Sequence, residues 1–318
     1  MVCGSLSKIA IRAVGHWMER GECDMRYRKN EILQGVLYIL PSLVLILVFS
    51  VLPIVMNLYF SFTKYNVMQP AKWIGLQNYA RLIKDPFVHA SLINSALFTA
   101  IIVPIQTILS LILAAIIAEK YRGRFGRFVK SSMFVPVIAS TVLVGTLWSL
   151  MLSPSGPVNT LLDSIGLGKV GWLGGRFTAL ISVCMASIWK NAGYFLVIYY
   201  AGIMDIPVSL YEAAQVDGAN AIQRFFRITV PCLSTTTYLI VTLGTIWSFQ
   251  IFDMVYMMTG GGPGTSTVSM VLTIYNAAFK ERSMGYASAV ALVMMIFILL
   301  ISFVQKLMLQ RERRDELA

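Results

Sequence analysis

A serine and a lysine three residues apart, Ser187 and Lys190, form the most reactive pair of side chains in the sequence, and both lie in a long apolar run. Residues three apart share one face of a helix, and a lysine in apolar surroundings can activate a serine as a nucleophile. A membrane hydrolase is therefore one interpretation. A lysine within a span can instead be retained for structure by pairing with backbone carbonyl groups or with a carboxylate, and Asn191 and Gly193 follow it closely. We favour an interrupted helix that lines a cavity.

Polar residues in a later apolar run form a second group. Trp247, Gln250 and Asp253 recur at intervals of three, which predicts a drifting stripe along one helix face. An aromatic ring with amide and carboxylate groups suits the apolar faces and hydroxyl groups of a sugar, so these residues, with Lys190 and Asn191, are candidates for a substrate pathway. A stripe that contacts a second subunit would have the same composition, and both interpretations stay open.

Metal and nucleotide chemistry are not predicted. The cysteines and histidines are too scattered to be paired metal ligands: Cys3, Cys23, Cys184, Cys232, His16 and His89. The phosphate-cradling pattern G-x-x-x-x-G-K-[ST] does not occur in the sequence. Gly166, Gly168 and Gly171 match G-x-G-x-x-G, but they follow no buried strand. We expect no metal, no disulfide framework and no cofactor.

The composition indicates which elements position these residues. Of 318 residues, 57% are hydrophobic and only 13% are charged, whereas roughly a quarter of a soluble domain is charged. This excludes a soluble globular chain and predicts an all-α membrane protein. Gln106, within one apolar run, is expected to hydrogen-bond between packed helices. Six runs are long enough to cross a bilayer as helices: about 33–62, 92–118, 128–152, 178–203, 236–258 and 286–309.

The distribution of basic residues predicts the orientation. The net charge is +11, and cytoplasmic loops carry an excess of Lys and Arg. With a cytoplasmic amino terminus, seventeen Lys and Arg fall inside and eight outside, and Lys190 lies within a span. We therefore predict a multi-pass membrane protein with both termini cytoplasmic. The basic first thirty residues precede an apolar run too long for a signal peptide, so we expect a retained signal anchor.

Two predicted outer loops have a distinct composition. The loop at about 63–91 contains Trp73, Tyr79 and Phe87 among polar residues, which predicts either a short amphipathic helix at the membrane interface or an aromatic belt. The loop at about 153–177 is rich in glycine and proline, as turns require.

The predicted cytoplasmic loop at about 204–235 has two helix-like halves. Pro207 suits the first turn of one helix, which the Asp217-Gly218 pair ends. Asn220 suits the amino-terminal cap of a second helix. These features predict a helix–turn–helix elbow, which is a shape that can transmit a push to the neighbouring spans.

The elbow closely resembles the coupling loop, or EAA motif, of permease subunits of binding-protein-dependent ABC importers. Its spacing and its place before the next-to-last span agree with that family. Other runs, at 73–79, 159–162, 172–173 and 259–263, look like the carbohydrate-uptake branch, and the similarity extends from about residue 31 to 309. The residues of the elbow that carry the match are Glu212, Ala213, Ala214, Asp217, Gly218, Ala219, Phe225, Ile228 and Pro231.

The residue types of the elbow also have physical reasons. Ala213 and Ala214 leave a helix surface thin enough to enter a groove on a partner. Glu212 offers a carboxylate to a basic residue there, and Gly218 permits a left-handed turn without a Cβ clash. We therefore expect these residues to couple the chain to a separate ATPase.

The resemblance implies a type I ABC importer permease fold and a non-catalytic subunit. It implies a pathway for a mono- or oligosaccharide formed with a second homologous permease, two ATP-binding subunits docked through 207–231, and an extracytoplasmic solute-binding protein. Membrane lipid, and not nucleic acid, surrounds such a subunit. The implied organisation is a basic cytoplasmic segment at 1–32, a transmembrane permease domain at 33–309 that contains the loop 204–235, and a cytoplasmic tail at 310–318.

Three alternatives remain beside this interpretation. A permease for a glycerol-phosphate-type solute is the nearest, because it belongs to the same family. An ion-coupled secondary transporter would use Asp253 and would leave the elbow unexplained. A membrane hydrolase would use Ser187 and Lys190.

Overall fold

A computed structural model describes residues 36–121 and 123–317, with the surroundings of side chains described as far as residue 308. The basic segment predicted at 1–32 lies outside the described residues. The chain divides into two units, Met1–Tyr59 and Phe60–Ala318. The described part of the first unit is an apolar helix, whereas the second unit contains a buried core built from many helices.

Helices dominate the described residues. Short π-helical turns occur at Leu47–Val51, Phe225–Thr229 and Asn276–Lys280. Two short strands, β1 (Thr63–Lys64) and β2 (Lys72–Trp73), pair antiparallel. In chain order the helices are α1 (Val36–Ser61), α2 (Gln77–Lys84), α3 (Pro86–Lys120), α4 (Arg124–Ile138), α5 (Thr141–Met151), α6 (Pro157–Ser164), α7 (Arg176–Met204), α8 (Val208–Val216), α9 (Ala221–Cys232), α10 (Ser234–Phe249), α11 (Asp253–Met258), α12 (Met270–Tyr275) and α13 (Met284–Leu317).

Four helices are long and apolar enough to cross a membrane by themselves: α1, α3, α7 and the part of α13 that ends at Met308. Two further pairs reach this length only together, α4 with α5 at a bend of 98° and α9 with α10 at a bend of 70°. With each bent pair counted as one span, the six-span all-α architecture predicted from the sequence is confirmed. Two of the six spans are therefore broken within the described residues.

The centre of the second unit is the pair α3 and α7, which pack along each other. The Ser110 hydroxyl of α3 donates to the carbonyl oxygen of Ala192 in α7 at 3.0 Å. On another side of α7, a Cβ atom at Gly193 would overlap the carbonyl oxygen of Met133 in α4. Small residues and hydroxyl groups are the usual means by which membrane helices approach closely. Residues 192 and 193 thus hold α7 against both neighbours.

The predicted outer loop at 63–91 contains β1, β2 and α2. One side of α2 is buried at Asn78 and Leu82, while its last turn holds Arg81 and Lys84. The Asn78 amide donates to the carbonyl oxygens of Ser61 at 2.8 Å and of Thr63 at 2.9 Å. The prediction of a short amphipathic helix is confirmed, and its location at a membrane interface stays a prediction.

The glycine-rich loop at 153–177 is organised by one buried amide. Asn159 of α6 is fully buried, and its side-chain Nδ2 donates to the carbonyl oxygens of Ser153 at 3.1 Å and of Val170 at 3.0 Å. Its Oδ1 accepts from the Val170 backbone at 2.9 Å and from the Trp172 indole at 3.2 Å. A buried amide with these bonds fixes the loop, because leaving any of them unmade is expensive.

Candidate functional site

A polar cavity of about 280 Å³ lies between α3, α7, α10 and α11. All five predicted pathway residues line it: Lys190, Asn191, Trp247, Gln250 and Asp253. The other lining residues are Ile102, Gln106, Thr141, Ser187, Gly244, Ser248, Ile251, Phe252 and Met254. Hydroxyl, amide, carboxylate and ammonium groups thus meet in one place within an apolar bundle. Polar side chains in spans either mark a solute path or join helices, and the geometry of each residue distinguishes these roles.

Lys190 holds the break in the third span. Its ammonium group donates to three backbone carbonyl oxygens of that break, those of Pro136 at 3.4 Å, Val137 at 3.1 Å and Ala139 at 3.1 Å. The last carbonyl groups of a helix have no partner within the helix, and the helix dipole favours a cation there. Lys190 therefore supplies the hydrogen bonds that α4 lacks where it ends. Backbone carbonyl groups, which the sequence analysis named as possible partners of this lysine, are its partners here. The interrupted helix that the sequence analysis favoured is wrong, because α7 continues without a break from Arg176 to Met204 and the break lies in the neighbouring span.

Ser187 forms a different contact. Its hydroxyl donates to the Val183 carbonyl oxygen one turn earlier in α7, at 2.8 Å. Among the hydrogen bonds of the described residues, none joins Ser187 to Lys190. The arrangement of a nucleophile with its base therefore does not occur at this pair, although both side chains line the cavity.

The stripe predicted along one helix of the fifth span is wrong in its geometry. α10 ends at Phe249, Gln250 follows as its cap, and Asp253 begins α11. The backbone turns away at Phe252, with φ −133° and ψ −63°. Neither glycine nor proline stands at this break, so no local signal marks it. The aromatic ring of Phe252 packs against that of Tyr275 in α12 with centroids 5.2 Å apart, so a contact between helices supports the new direction.

Trp247 lies at the edge of the cavity with an aromatic cluster beside it. Its ring centroid is 5.1 Å from that of Tyr194 and 5.4 Å from that of Phe195, both in α7. The indole side chain remains 38% exposed. Because its neighbours fix the ring while part of it stays open to the cavity, Trp247 offers a pre-positioned apolar face.

Gln106 is a cavity residue that the sequence analysis assigned to helix contacts. It is only 1% exposed, and its Oε1 has no hydrogen-bond partner among the described residues. A Cβ atom at Gly244 in α10 would lie 3.1 Å from the Gln106 Nε2, so the glycine leaves room for this amide. A buried amide oxygen without a partner is costly unless something else binds it. The signal in the sequence was an amide in a span, which by itself does not distinguish the two roles.

The elbow predicted at 204–235 forms between the end of α7 at Met204 and the start of α10 at Ser234, so its second half, α9, is the part of the fifth span that precedes the 70° bend. Pro207 occupies the cap position directly before α8, rather than its first turn. Gly218 adopts φ +76°, the left-handed conformation that the sequence predicted. Asn220 and Gln223 exchange side-chain and backbone hydrogen bonds at 2.9 Å in both directions, which forms a capping box at the start of α9.

The elbow has an exposed face and an anchored face. Glu212, Ala213, Asp217 and Gly218 are exposed, and so is Pro231, whereas Ala214, Ala219, Phe225 and Ile228 are half-buried. The Tyr211 hydroxyl lies 2.9 Å from the Thr229 hydroxyl, a contact that joins the two halves. The residues of the motif are therefore divided between a surface and the packing beneath it.

The fold and these two sites define a polytopic membrane protein with a polar cavity at breaks in its spans and an ordered elbow between two of them. The chain belongs to the family described as binding-protein-dependent transport system inner membrane component, which matches residues 106–314. This family consists of transporter components, and its match includes the elbow and every lining residue of the cavity except Ile102.

Individual relatives agree with this assignment. The chain is 37% identical to a probable ABC transporter permease protein, YurN, of Bacillus subtilis, over 85% of this chain and 93% of the relative. It is 33% identical to the trehalose/maltose transport system permease protein MalF of Thermococcus litoralis, over 92% and 97%. Among solved structures, a bacterial alginate ABC transporter in complex with an alginate pentasaccharide-bound periplasmic protein matches at a TM-score of 0.78 and 26% identity, over 89% of this chain and 96% of that one.

Proposed function

We propose that this chain is the permease subunit of an ATP-driven importer for a sugar, either a mono- or an oligosaccharide, and that the cavity beside α10 is part of its pathway. The observation that carries this proposal is the convergence of Lys190, Asn191, Trp247, Gln250 and Asp253 on one cavity, beside the break between α4 and α5 and the turn between α10 and α11. Broken spans are tolerated where they line a cavity, because water and polar side chains satisfy the freed backbone groups there.

The chemistry of the lining favours a sugar. The half-open Trp247 ring suits the apolar face of a sugar ring, and the amides of Gln106 and Asn191 suit its hydroxyl groups. The only cation of the lining, Lys190, is occupied by three carbonyl oxygens, and Asp253 adds negative charge. A phosphate group would meet no open cation there, so a glycerol-phosphate-type solute fits less well. The names of MalF and of the alginate transporter, both of carbohydrate systems, support the same choice.

The elbow is proposed to couple the chain to separate ATPase subunits. Its exposed face combines the Glu212 carboxylate with the small side chain of Ala213 and with apolar residues such as Val216, which is 88% exposed. Such a face suits a groove that carries a basic residue. Two ATP-binding subunits, a second homologous permease and an extracytoplasmic solute-binding protein complete the proposed complex. The alginate transporter in complex with its periplasmic protein supports the last of these partners.

Orientation and domain organisation are part of the same proposal. The basic segment 1–32 and the tail 310–318 are proposed to be cytoplasmic, as is the loop 204–235, which places the elbow beside the ATPases. The domain at 33–309 then spans an inner membrane. A non-catalytic role fits this assignment, because the Ser187 hydroxyl is held by Val183 and Lys190 by the end of α4.

The test is uptake by a reconstituted complex. The tagged chain is purified with the subunits that accompany it and placed in lipid vesicles with ATP inside and a solute-binding protein outside. We expect uptake of a labelled oligosaccharide that requires ATP and ceases when the ATPase subunits are absent. Uptake that an ion gradient drives without ATP would instead establish the secondary transporter.

A further inference from the structure

The shortest side-chain hydrogen bond of the elbow joins it to a different span. Arg224 of α9 is largely buried, with 16% of its side chain exposed. Its Nη2 donates to the Glu119 Oε1 at 2.6 Å, and its Nη1 donates to the Ala219 carbonyl oxygen at 3.2 Å. Glu119 lies in the last turn of α3, which is 105 residues away in sequence. One guanidinium group therefore holds the turn of the elbow and the end of a membrane helix at once.

The residue types suit a mechanical joint. Arginine has a planar fork that donates to two acceptors in fixed directions, which lysine cannot do. A carboxylate in the last turn of a helix is disfavoured by the helix dipole, so Glu119 gains from the cation beside it. Arg224 is largely buried, whereas 47% of the Glu119 side chain is exposed, so solvent screens the pair only in part and we expect it to be stronger than a fully exposed ion pair.

The packing around this pair combines a cavity with a hydrophobic cluster. A second cavity of about 280 Å³ lies between the elbow and the ends of α3 and α7, and both Glu119 and Arg224 line it. Beside the cavity, Tyr211 and Ile228 of the elbow pack against a hydrophobic cluster that contains Ala118 of α3. Apolar packing is non-directional, whereas the Glu119–Arg224 pair joins the elbow to α3 by a contact of defined geometry.

The middle of α3 lines the polar cavity. Gln106 lies thirteen residues before Glu119 in the same helix, which corresponds to about 20 Å along its axis. Ser110 ties this part of α3 to α7 through the Ala192 carbonyl oxygen at 3.0 Å. A rigid helix thus connects the joint with a side chain of the proposed pathway.

We infer that the Glu119–Arg224 ion pair is the joint through which the elbow moves α3, so that an ATPase acting on the elbow displaces α3 as well as the adjoining α10. Arg224 and Glu119 are positioning residues in this scheme, and the inference rests on the proposed coupling function of the elbow. A pair that served folding alone would contribute to stability but not to the ratio of transport to ATP hydrolysis.

Charge reversal and its compensation test the joint. The variants are Arg224→Glu, Glu119→Arg and the double exchange, each purified as the full complex, with Arg127→Glu as a matched control. Arg127 is an exposed arginine of α4 outside the elbow and outside both cavities. Three quantities are measured: co-purification of the ATPase subunits, ATP hydrolysis, and labelled sugar taken up per ATP hydrolysed.

Each single reversal is expected to keep the ATPase bound and to lower uptake per ATP by about fivefold or more, which is the range of ordinary coupling free energies. The double exchange is expected to restore most of that ratio, and Arg127→Glu to leave it unchanged. The inference is overturned if single reversals keep the wild-type ratio, or if the double exchange assembles without recovering it.

Two further variants keep the outcome interpretable. If a reversal prevents assembly, Glu119→Gln removes the charge without adding a repulsive one, and it should still lower the ratio. A wild-type ratio in Glu119→Gln then contradicts the joint. Gly218→Val separates the coupling function of the elbow from the role of the Glu119–Arg224 pair, because it alters the elbow itself. If Gly218→Val uncouples transport while the Arg224 variants do not, the joint is wrong and the elbow stands; if Gly218→Val also transports normally, the coupling function fails.

Discussion

The ammonium group of Lys190 lies 3.1 Å from the carbonyl oxygen of Ala139, where the third span turns by 98°. This contact joins the middle of α7 to the short link between α4 and α5. A lysine in a span is thereby used to end one helix and start the next, rather than to bind an anion or to activate a nucleophile. The shape of the polar cavity depends on this contact, because Lys190 and Thr141, the first residue of α5, both line the cavity.

Lys190→Met is expected to destabilise the complex by about 2 kcal/mol, because it leaves backbone carbonyl groups at a buried break without donors. Lys190→Arg should be milder, since the guanidinium group can still donate to carbonyl oxygens. Thermal unfolding of the purified complex in detergent measures the difference. Equal thermal unfolding midpoints for Lys190→Met and the wild type would contradict this expectation and show that water donates to these carbonyl groups equally well.

Substitutions of Trp247 and Asp253, which line the polar cavity, should change transport and not assembly. Trp247→Ala removes the apolar face, and Asp253→Asn removes the charge at the start of α11, so we expect altered uptake or altered preference within a panel of sugars. Co-purification of the partner subunits is the control for assembly. Unchanged uptake in both variants would assign these residues to helix packing, and loss of the partner subunits on purification would assign them to the contact with the second permease.

Gln106→Leu is expected to lower the maximal uptake rate by about tenfold, which corresponds to about 1.4 kcal/mol, the size of one lost polar contact. Gly244→Ala should act in the same direction but less strongly, because its Cβ would lie 3.1 Å from the Gln106 amide. Uptake is measured at saturating binding protein. A Gln106→Leu variant that is less stable than the wild type but transports normally would place this amide among helix contacts.

Gly218→Val is expected to uncouple ATP hydrolysis from uptake. The position has φ +76° and open space around an added Cβ, so the strain comes from the backbone alone and exceeds about 1 kcal/mol for a β-branched residue. Glu212→Ala should have a smaller effect, because it removes one charge-assisted contact and leaves the shape. ATP hydrolysis with and without substrate-loaded binding protein is the measurement. Wild-type uptake by Gly218→Val would refute the elbow as the coupling element.

Orientation is tested by labelling single cysteines in a background from which Cys3, Cys23, Cys184 and Cys232 have been removed. Val216→Cys and Leu167→Cys are suitable because the native side chains are 88% and 69% exposed. They are preferable to Gln223, which forms the capping box, and to Gly168, which has φ +70°. An impermeant thiol reagent applied to intact cells should label Leu167→Cys only. Labelling of Val216→Cys would place the elbow on the outer side.

Several features were predictable because they depend on residues close together in the chain. The long apolar runs predicted the spans, and Asn220 with Gln223 three residues later fixed the start of α9. Gly218 marked the end of α8, since a left-handed turn is unfavourable for most other residues. The spacing of the elbow motif predicted the family, and the family match over residues 106–314 confirms it.

By itself, the sequence determined the class of protein, the number and approximate place of the spans, and the two halves of the elbow, because hydropathy, capping and turn preferences act over a few residues. The tertiary structure decided where α10 ends, which carbonyl groups Lys190 binds, that Gln106 lines a cavity, and that Arg224 reaches Glu119. Each of these depends on residues brought together from distant parts of the chain. Local preferences carry no information on such contacts, since packing of whole helices sets which polar groups meet and which remain without a partner.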